Sequence, residues 1–402
     1  MSAGGDPSQD TPDGGAPTGA GGARSQLLLV SILFGAEGAL YSAIAPLLPH
    51  YAHSLHVSRS AAGVLVATYS AGLVVGSMLA GQLVGRIGPR RTVVLGLLVV
   101  GASSVAFGFA GSEAALDALR SAQGCGAGLL WAAGLAWLIG AAGPERRGAL
   151  IGTALGAAIF GTLIGPLIGT LAAVVSTGLI FTVVASMSVA LAALVARSRA
   201  PENAVHESGA SLRSALGRAQ VRAGLWIVLL PAATISIVNT LVPLRMASLG
   251  ASGIAVGIAF VAAAAIATAA SPLIGRLTDR LGAPALARIA LAAVAPCLAV
   301  LLLPTAAWAV GVLTALFVGA ALTACMIPGI TLLTQATESA GLSHGLAAMV
   351  LNVSFALGET IGALAGANIA SIAGEEVPLA LLAVLTLFTA YRLPTMTRAS
   401  SG

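Results

Sequence analysis

Ionisable side chains inside apolar stretches are the positions in this sequence where chemistry could take place. Glu37 and Glu359 each lie near the middle of a long apolar run, and Asp117 and Arg120 lie together toward the start of another. A charge at the centre of a bilayer costs roughly 2.5–3.5 kcal/mol, and burial favours the neutral form of a carboxyl group. Acids placed in this way can gain and lose protons, so we interpret the four residues as candidates for proton coupling.

Asp117 and Arg120 are three residues apart, which places them on one face of a helix where they can pair directly. A neighbouring guanidinium favours the charged form of an acid. We therefore expect Asp117 to stay ionised and Glu37 and Glu359 to carry the proton. The alternative is that each acid only makes a structural hydrogen bond to a neighbouring helix.

Polar and aromatic side chains in the same apolar runs are candidates for a substrate cavity, because aromatic rings can bind cationic compounds. The candidates are Tyr41, Trp131, Asn239 and Asn352, and the wider aromatic set adds Tyr69, Trp137 and Phe160. Tyr41 and the two asparagines are also possible structural partners of the acids. The aromatic residues can equally be core packing or interface anchors.

The composition excludes several classes of protein. Of 402 residues, 57% are hydrophobic and 8% are charged, whereas a soluble domain is about a quarter charged. This excludes an ordinary soluble enzyme, a disordered protein and a nucleic-acid binder. There is no G-x4-G-K-[ST] motif and no catalytic Ser/His/Asp set, so we predict no enzyme activity and no cofactor. His50, His53 and His56 could line one helical turn, but they fit a solvated rim and we predict no metal site.

Twelve apolar runs are long enough to cross a bilayer, which needs about 20 residues each. They are centred near Glu37, Leu73, Val100, Leu130, Phe160, Val184, Ser236, Ala262, Val294, Phe317, Phe355 and Val384. The sequence therefore predicts an all-α membrane protein with twelve transmembrane helices and short connections. The predicted parts are a disordered cytoplasmic tail (1–25), a six-helix bundle (26–197), a cytoplasmic linker (198–222), a second six-helix bundle (223–393) and a cytoplasmic tail (394–402).

The arginines predict the orientation, because cytoplasmic loops carry an excess of positive charge. With the N-terminus inside, sixteen of the nineteen basic residues fall on the cytoplasmic side. Arg59, Arg120 and Arg245 remain outside or within the membrane. We therefore expect a multi-pass protein of the cytoplasmic (inner) membrane with both termini in the cytoplasm.

The two halves resemble each other at a nearly constant offset. Residues 81–88 match 275–282 after a shift of 194, and residues 165–172 match 358–365 after a shift of 193. These matches indicate duplication of a six-helix unit. Parallel repeats of this kind place a substrate site between the halves, near the bilayer midplane.

The loop at residues 81–91 is similar to the signature loop of the major facilitator superfamily, roughly G-x-L-a-D-r-x-G-r-r. Gly85 replaces the aspartate of the signature, which the second copy restores as Asp279 while lacking the trailing basic pair. The resemblance implies a cytoplasmic gate in which loop arginines contact acids or helix C-termini of the opposite half when the transporter opens outward. The gate residues would be Gly81, Arg86, Gly88, Arg90, Arg91, Gly275, Asp279, Arg280 and Gly282. The alternative is that these arginines only determine topology.

Two helix motifs extend the resemblance toward the proton-coupled exporters of that superfamily. The fourth helix carries Arg120, Gln123 and Gly124 in a pattern similar to l-x3-R-x2-q-G-x-g. The fifth resembles the exporter motif, with Thr170 in place of its last glycine, and its stripe consists of Gly152, Gly161, Gly165, Pro166 and Gly169. The resemblance implies that the stripe seals helix five against a helix of the other half and limits proton leak. The alternative is close helix packing alone.

These observations favour a secondary active transporter that expels a small lipophilic or cationic compound in exchange for protons by alternating access. We expect a monomer in the lipid bilayer, with protons and a small-molecule substrate as partners and no nucleic acid. The alternatives are a proton-coupled importer of a sugar or organic acid, and a membrane sensor that does not transport, which Gly85 in the gate loop leaves open.

Overall fold

The computed structural model of the protein describes residues 20–141, 147–198, 212–301, 303, 306–342 and 344–398. The described residues form helices and no strands. Residues 1–19 of the predicted N-terminal tail and 199–211 of the predicted linker lie outside the described residues.

The first half contains six helices. They are α1 (Ala20–Ser42), α2 (Ile44–Ser54), α3 (Arg59–Gly108), α4 (Glu113–Ala141), α5 (Arg147–Val174) and α6 (Thr177–Arg197). Span 1 consists of α1 and α2, which are separated at Ala43. Pro46 explains the break, because it has no N–H to donate to the carbonyl of Ser42 one turn earlier.

The second half begins with the short helix α7 (Leu212–Gly217) in the predicted linker. It continues with α8 (Ala219–Ser248), α9 (Gly253–Leu281), α10 (Ala283–Val300), α11 (Ala307–Leu316), a π-helical turn (Phe317–Leu322), α12 (Thr323–Ser339), α13 (His344–Ala373) and α14 (Glu376–Arg398). Helix α1 begins within the predicted tail, α8 begins within the predicted linker, and α14 extends into the predicted C-terminal tail.

Twelve membrane spans result from these helices. Among the described residues, ten helical segments are long and apolar enough to cross a bilayer. One of them is the 50-residue α3, which is two spans folded at Gly88, where φ is +82°. Helix α4 provides the remaining span despite its charged first turns. The expected all-α fold of two six-helix bundles is confirmed.

Gly88 and Gly282 show that the sequence repeat is also a structural repeat. Both residues have φ of +82°, a left-handed conformation that favours glycine. Each is closely followed by a proline, Pro89 or Pro284, that starts the next helix. The offset of 194 therefore superimposes one turn geometry on the other.

The outside of the bundle is apolar. Large hydrophobic side chains are exposed on α5, α6, α9 and α14, including Leu167, Val183, Ile258 and Phe388. In water such a surface would promote association, whereas in a bilayer it faces lipid.

The two halves meet at one end of the bundle, which we call the Arg59 end; the opposite end, with the Gly88 and Gly282 turns, is the Gly88 end. A Cβ atom on Gly63 of α3 would lie 2.6 Å from the main-chain oxygen of Ala363 on α13. On the other side of the molecule, Gly257 of α9 lies against the hydroxyl of Thr170 on α5. Shifts of 194 and 193 relate the two contacts. The repeat therefore generates both contact lines between the halves, which we call the α3–α13 seam and the α5–α9 seam.

Candidate functional site

Glu37 lies at the centre of the first half and is 7% exposed. The Tyr69 hydroxyl of α3 donates a hydrogen bond to its Oε1. Trp131 Nε1 of α4 donates to its Oε2 at 2.6 Å. Phe34, about one turn before Glu37 on α1, stacks on Trp131 with ring centroids 4.0 Å apart. The predicted cavity residue Trp131 is therefore a direct partner of this acid.

Glu359 joins the two halves. It lies on α13 and is 3% exposed, yet both of its carboxyl partners belong to the first half. The Tyr41 hydroxyl of α1 donates to Oε1, and Ser70 Oγ of α3 donates to Oε2 at 2.8 Å. Within its own half, the Glu359 carbonyl accepts a hydrogen bond from Ser236 at 2.8 Å. Any movement that separates α13 from α1 and α3 of the first half must break the two carboxyl hydrogen bonds.

Arg120 connects the surroundings of the two acids. Its guanidinium lies over the Tyr69 ring, 4.1 Å from the centroid. Its nitrogens donate to the Tyr41 carbonyl at 2.9 Å and to Gln123 Oε1 at 3.0 Å. Arg120 therefore contacts one hydrogen-bond donor of each acid. It packs on the ring of Tyr69, which binds Glu37, and it binds the main chain of Tyr41, whose side chain binds Glu359.

The glycines of α4 make this stacking possible. A Cβ atom on Gly124 would collide with the Tyr69 carbonyl, and one on Gly128 would collide with the Leu73 carbonyl. Small residues let helix backbones approach closely. The motif glycines therefore allow α4 to pack closely against α3, which places Arg120 over the Tyr69 ring.

The expected pair between Asp117 and Arg120 is wrong. No ion pair joins them in the described residues, and Asp117 Oδ1 is buried without a hydrogen-bond partner. The end of α1 explains the difference, because the last carbonyls of a helix lack intrahelical partners. The carbonyls of Leu40 and Tyr41 accept the Arg120 guanidinium instead.

The structure divides the predicted cavity residues into two groups. Tyr41 and Trp131 bind the two acids. Asn239 and Asn352 are partly buried, and the hydrogen bonds found for the described acids do not include either side chain.

The predicted gate residues lie at the Gly88 end. Arg86, Arg91, Asp279 and Arg280 are exposed. Arg90 donates a hydrogen bond at 3.0 Å to the carbonyl of Ser198, which caps α6 of its own half. In this conformation Arg90 therefore binds a helix C-terminus, as expected, but not one of the opposite half. A Cβ atom on Gly81 or Gly85 would meet nothing within 4 Å.

The fifth-helix stripe packs within its own half, so the expected seal against the other half is wrong for these glycines. Gly161 lies against the Gly35 carbonyl of α1, and Gly169 lies against the Ala43 carbonyl between α1 and α2. Gly165 contacts the same strip of span 1, and Pro166 is buried beside it. Thr170, not a glycine, reaches the other half. Gly152 lies in α5, in a part whose side chains the structure does not describe.

Several contacts of the candidate site and between the halves were not apparent in the sequence. Ser70 and Ser236 lie in apolar helices without any motif, and only the fold brings them to Glu359. Glu375 accepts an ion pair from Arg59 at 2.7 Å and another from Arg245 at 3.5 Å. The sequence did mark Arg59 and Arg245 as unusual, because both lie apart from the sixteen basic residues predicted on the cytoplasmic side.

The arrangement is suited to binding and releasing protons. All four oxygens of the two carboxyl groups accept hydrogen bonds from neutral donors, and among the described residues no cation forms an ion pair with either acid. No group of three or more metal-ligating side chains occurs in the described part of the chain.

Comparison with known proteins identifies the architecture. A family model described as Major Facilitator Superfamily matches residues 30–359. No curated protein sequence matches the chain significantly.

Solved structures with the same architecture cover nearly the whole chain. A bacterial homolog of the human lysosomal transporter Spinster, in an inward-facing and unoccupied conformation, is 13% identical over 96% of this chain and 98% of its own, with a TM-score of 0.75. The D-xylose-proton symporter is 15% identical over 92% and 97%, with a TM-score of 0.74. The nucleoside transporter NupG is 12% identical over 93% and 100%, with a TM-score of 0.71. At these identities the likeness shows the fold.

Proposed function

The chain belongs to the Major Facilitator Superfamily of membrane transporters, which are not enzymes, and on that premise we propose that it exchanges protons for a small lipophilic or cationic compound. The proposed direction is export. The observation that carries the proposal is the pair of buried acids around Arg120, one inside the first half and one between the halves.

The proposed orientation places the Gly88 end and both termini in the cytoplasm of a cell with an inner membrane. The arginine distribution supports it. The Arg59 end, where the halves meet, is then the outer side, and the described conformation is inward-facing. The Spinster homolog of the same fold is inward-facing in its solved structure, which agrees with this assignment.

The two acids have different parts in the proposed exchange. Glu37 is held by Tyr69 and Trp131 of its own half, so its partners move with it. Glu359 is held by Tyr41 and Ser70 of the opposite half, so opening of the Arg59 end breaks its hydrogen bonds and admits water. In that state Glu359 exchanges its proton with the outer side.

Competition couples the two fluxes. A cationic compound that enters from the Gly88 end favours ionised carboxylates, so the carboxyl protons leave to the cytoplasmic side as it binds. Protons from the outer side neutralise the carboxylates after the compound leaves. The contacts between the halves close the Arg59 end in the described conformation, so neither proton nor compound reaches the outer side without the change of state.

The test is proton movement in proteoliposomes that contain a trapped pH dye. We expect tetraphenylphosphonium or ethidium, as lipophilic cations, to speed the dissipation of an imposed pH gradient beyond protein-free liposomes. Acceleration by D-xylose or lactate instead would favour the importer. If no compound of either panel changes the rate, the exchange proposal fails and the sensor is favoured.

A further inference from the structure

Glu375 occupies a position where three parts of the molecule meet. It lies in the short connection between α13 and α14, next to Gly374, which has φ of +92°. Its Oε1 accepts an ion pair at 2.7 Å from Arg59, the first residue of α3 in the opposite half. Its Oε2 faces Arg245, near the end of α8 in its own half, at 3.5 Å.

The burial of the partners is unequal. The Glu375 side chain is 11% exposed, and those of Arg245 and Arg59 are 19% and 42% exposed. Glu375 is therefore held in place by its own half, while Arg59 reaches it from the edge of the other half. An ion pair that is mostly shielded from water is screened less than a fully exposed one.

The ion pair is the outermost of a line of contacts between α3 and α13. Next to it, Ser60 Oγ donates a hydrogen bond to Asn368 Oδ1 at 2.6 Å. Deeper in the membrane are the close contact of Gly63 with Ala363 and the hydrogen bond of Ser70 to Glu359. Opening of the Arg59 end along this seam must first break the bond between Arg59 and Glu375.

Among the described residues, the second seam has no equivalent charged pair. Shifting Arg59 forward by 194 leads to Gly253, and the α5–α6 connection that corresponds to the one carrying Glu375 consists of Val175 and Ser176. None of these three residues is ionisable. The repeat thus supplies the packing contacts of both seams, and the α3–α13 seam alone adds charge at these positions.

We propose that Glu375 is a latch that holds the Arg59 end closed by binding Arg59, with Arg245 positioning its carboxylate. The latch rests on the proposed alternating access, but it does not depend on the identity of the substrate or on proton coupling. It assigns a role in the conformational change to two arginines that topology does not require.

The test measures opening directly in lipid nanodiscs. Cys125, Cys297 and Cys325 are replaced by alanine, and spin labels are attached to cysteines at His53 and Ile254, which are exposed on opposite halves of the Arg59 end. We expect Glu375→Gln and Arg59→Gln each to increase the population of long distances about two- to fivefold, the range for a partly screened ion pair.

A double-mutant cycle separates the latch from a general loss of structure. If the two residues act through one bond, Arg59→Gln/Glu375→Gln opens no further than either single variant. Arg245→Gln is the matched control, because it breaks the contact within one half, and its effect should be smaller. A higher salt concentration should increase the population of long distances in the protein with the Arg59–Glu375 ion pair, but not in the Glu375→Gln variant. Additive single effects, unchanged distances, or a larger effect of Arg245→Gln would overturn the latch.

A second label pair, at Gln82 and Arg276 of the Gly88 end, distinguishes the latch from the proposed function. Under alternating access, the variants that open the Arg59 end should close the Gly88 end. If the Arg59 end opens while the Gly88 end is unchanged, the latch is supported and the proposed alternating access is wrong.

Discussion

At the scale of single residues, the two buried acids differ in which half holds them. Glu37 has both partners in its own half, whereas Glu359 has both in the other half. A buried polar group without a partner costs about 1–3 kcal/mol, so Tyr41, Ser70, Tyr69 and Trp131 are needed to keep the acids in place. The contacts of Tyr41 and Ser70 make Glu359 sensitive to movement of the halves, whereas the partners of Glu37 move with it.

We expect Glu37→Gln to reduce compound-driven proton movement to the rate of protein-free liposomes. A glutamine can still accept the hydrogen bond from Tyr69 or Trp131 but cannot release a proton, so folding and expression should persist. The measurement is the pH-gradient assay together with the thermal midpoint. Glu113→Gln, which changes an exposed acid on α4, is the control, and unchanged coupled transport in Glu37→Gln would remove this acid from the mechanism.

Arg120→Ala should lose transport more severely than Arg91→Ala. The first variant leaves the Tyr41 carbonyl and Gln123 without their donor, while the second changes an exposed arginine. Arg120→Lys keeps the charge but lacks the planar guanidinium that stacks on Tyr69, so we expect it to restore only part of the rate. Transport rates are compared at matched thermal midpoints, and the reverse order of Arg120→Ala and Arg91→Ala would contradict the role of Arg120.

At the scale of helices, glycine determines which pairs approach closely. The α4 glycines contact α3, and the α5 stripe contacts α1 and α2. Both are packing surfaces inside the first half. Among the described glycines, Gly63 and Gly257 contact the opposite half, at Ala363 and Thr170.

Gly124→Ala should lower the stability of the folded protein by about 1–3 kcal/mol, the cost of overpacking a tight contact. The added methyl group would meet the Tyr69 carbonyl, which belongs to a rigid helix backbone. Thermal unfolding in detergent measures the effect. Gly81→Ala is the matched control, since nothing lies within 4 Å of its new Cβ; equal midpoints for the two variants would contradict the packing role of Gly124.

At the scale of the whole molecule, the seams close one end and the Gly88 end carries the exposed gate arginines. We predict that the gate contacts between halves, which the family resemblance implies, form in the opposite conformation, in which the Gly88 end is closed. Asp279 and Arg280 of the second loop and Arg86 and Arg91 of the first are exposed in the described state, and their ion pairing stays a prediction for the other.

Joining the halves at the Arg59 end should stop transport. In a background without native cysteines, Ser60→Cys and Asn368→Cys linked by a short bismaleimide should hold α3 against α13. We expect proton exchange to fall to the protein-free rate, while a cysteine at Gln82 of the Gly88 end still reacts with a soluble maleimide. Each single-cysteine variant treated with the same reagent is the control, and full transport by the linked protein would exclude opening along this seam.

The sequence alone was sufficient for the twelve spans, the two repeated halves, and the presence of Glu37, Glu359 and Arg120 inside the membrane. Hydropathy and repeat offsets can be read along the chain without knowledge of its packing. Tertiary structure decided the partners. Tyr41 binds Glu359, which is 318 positions away in the sequence. Arg120 binds carbonyls at the end of α1 instead of Asp117, and Glu375 binds Arg59. These partners follow from helix packing, which determines the faces of distant segments that touch and cannot be read from residue spacing.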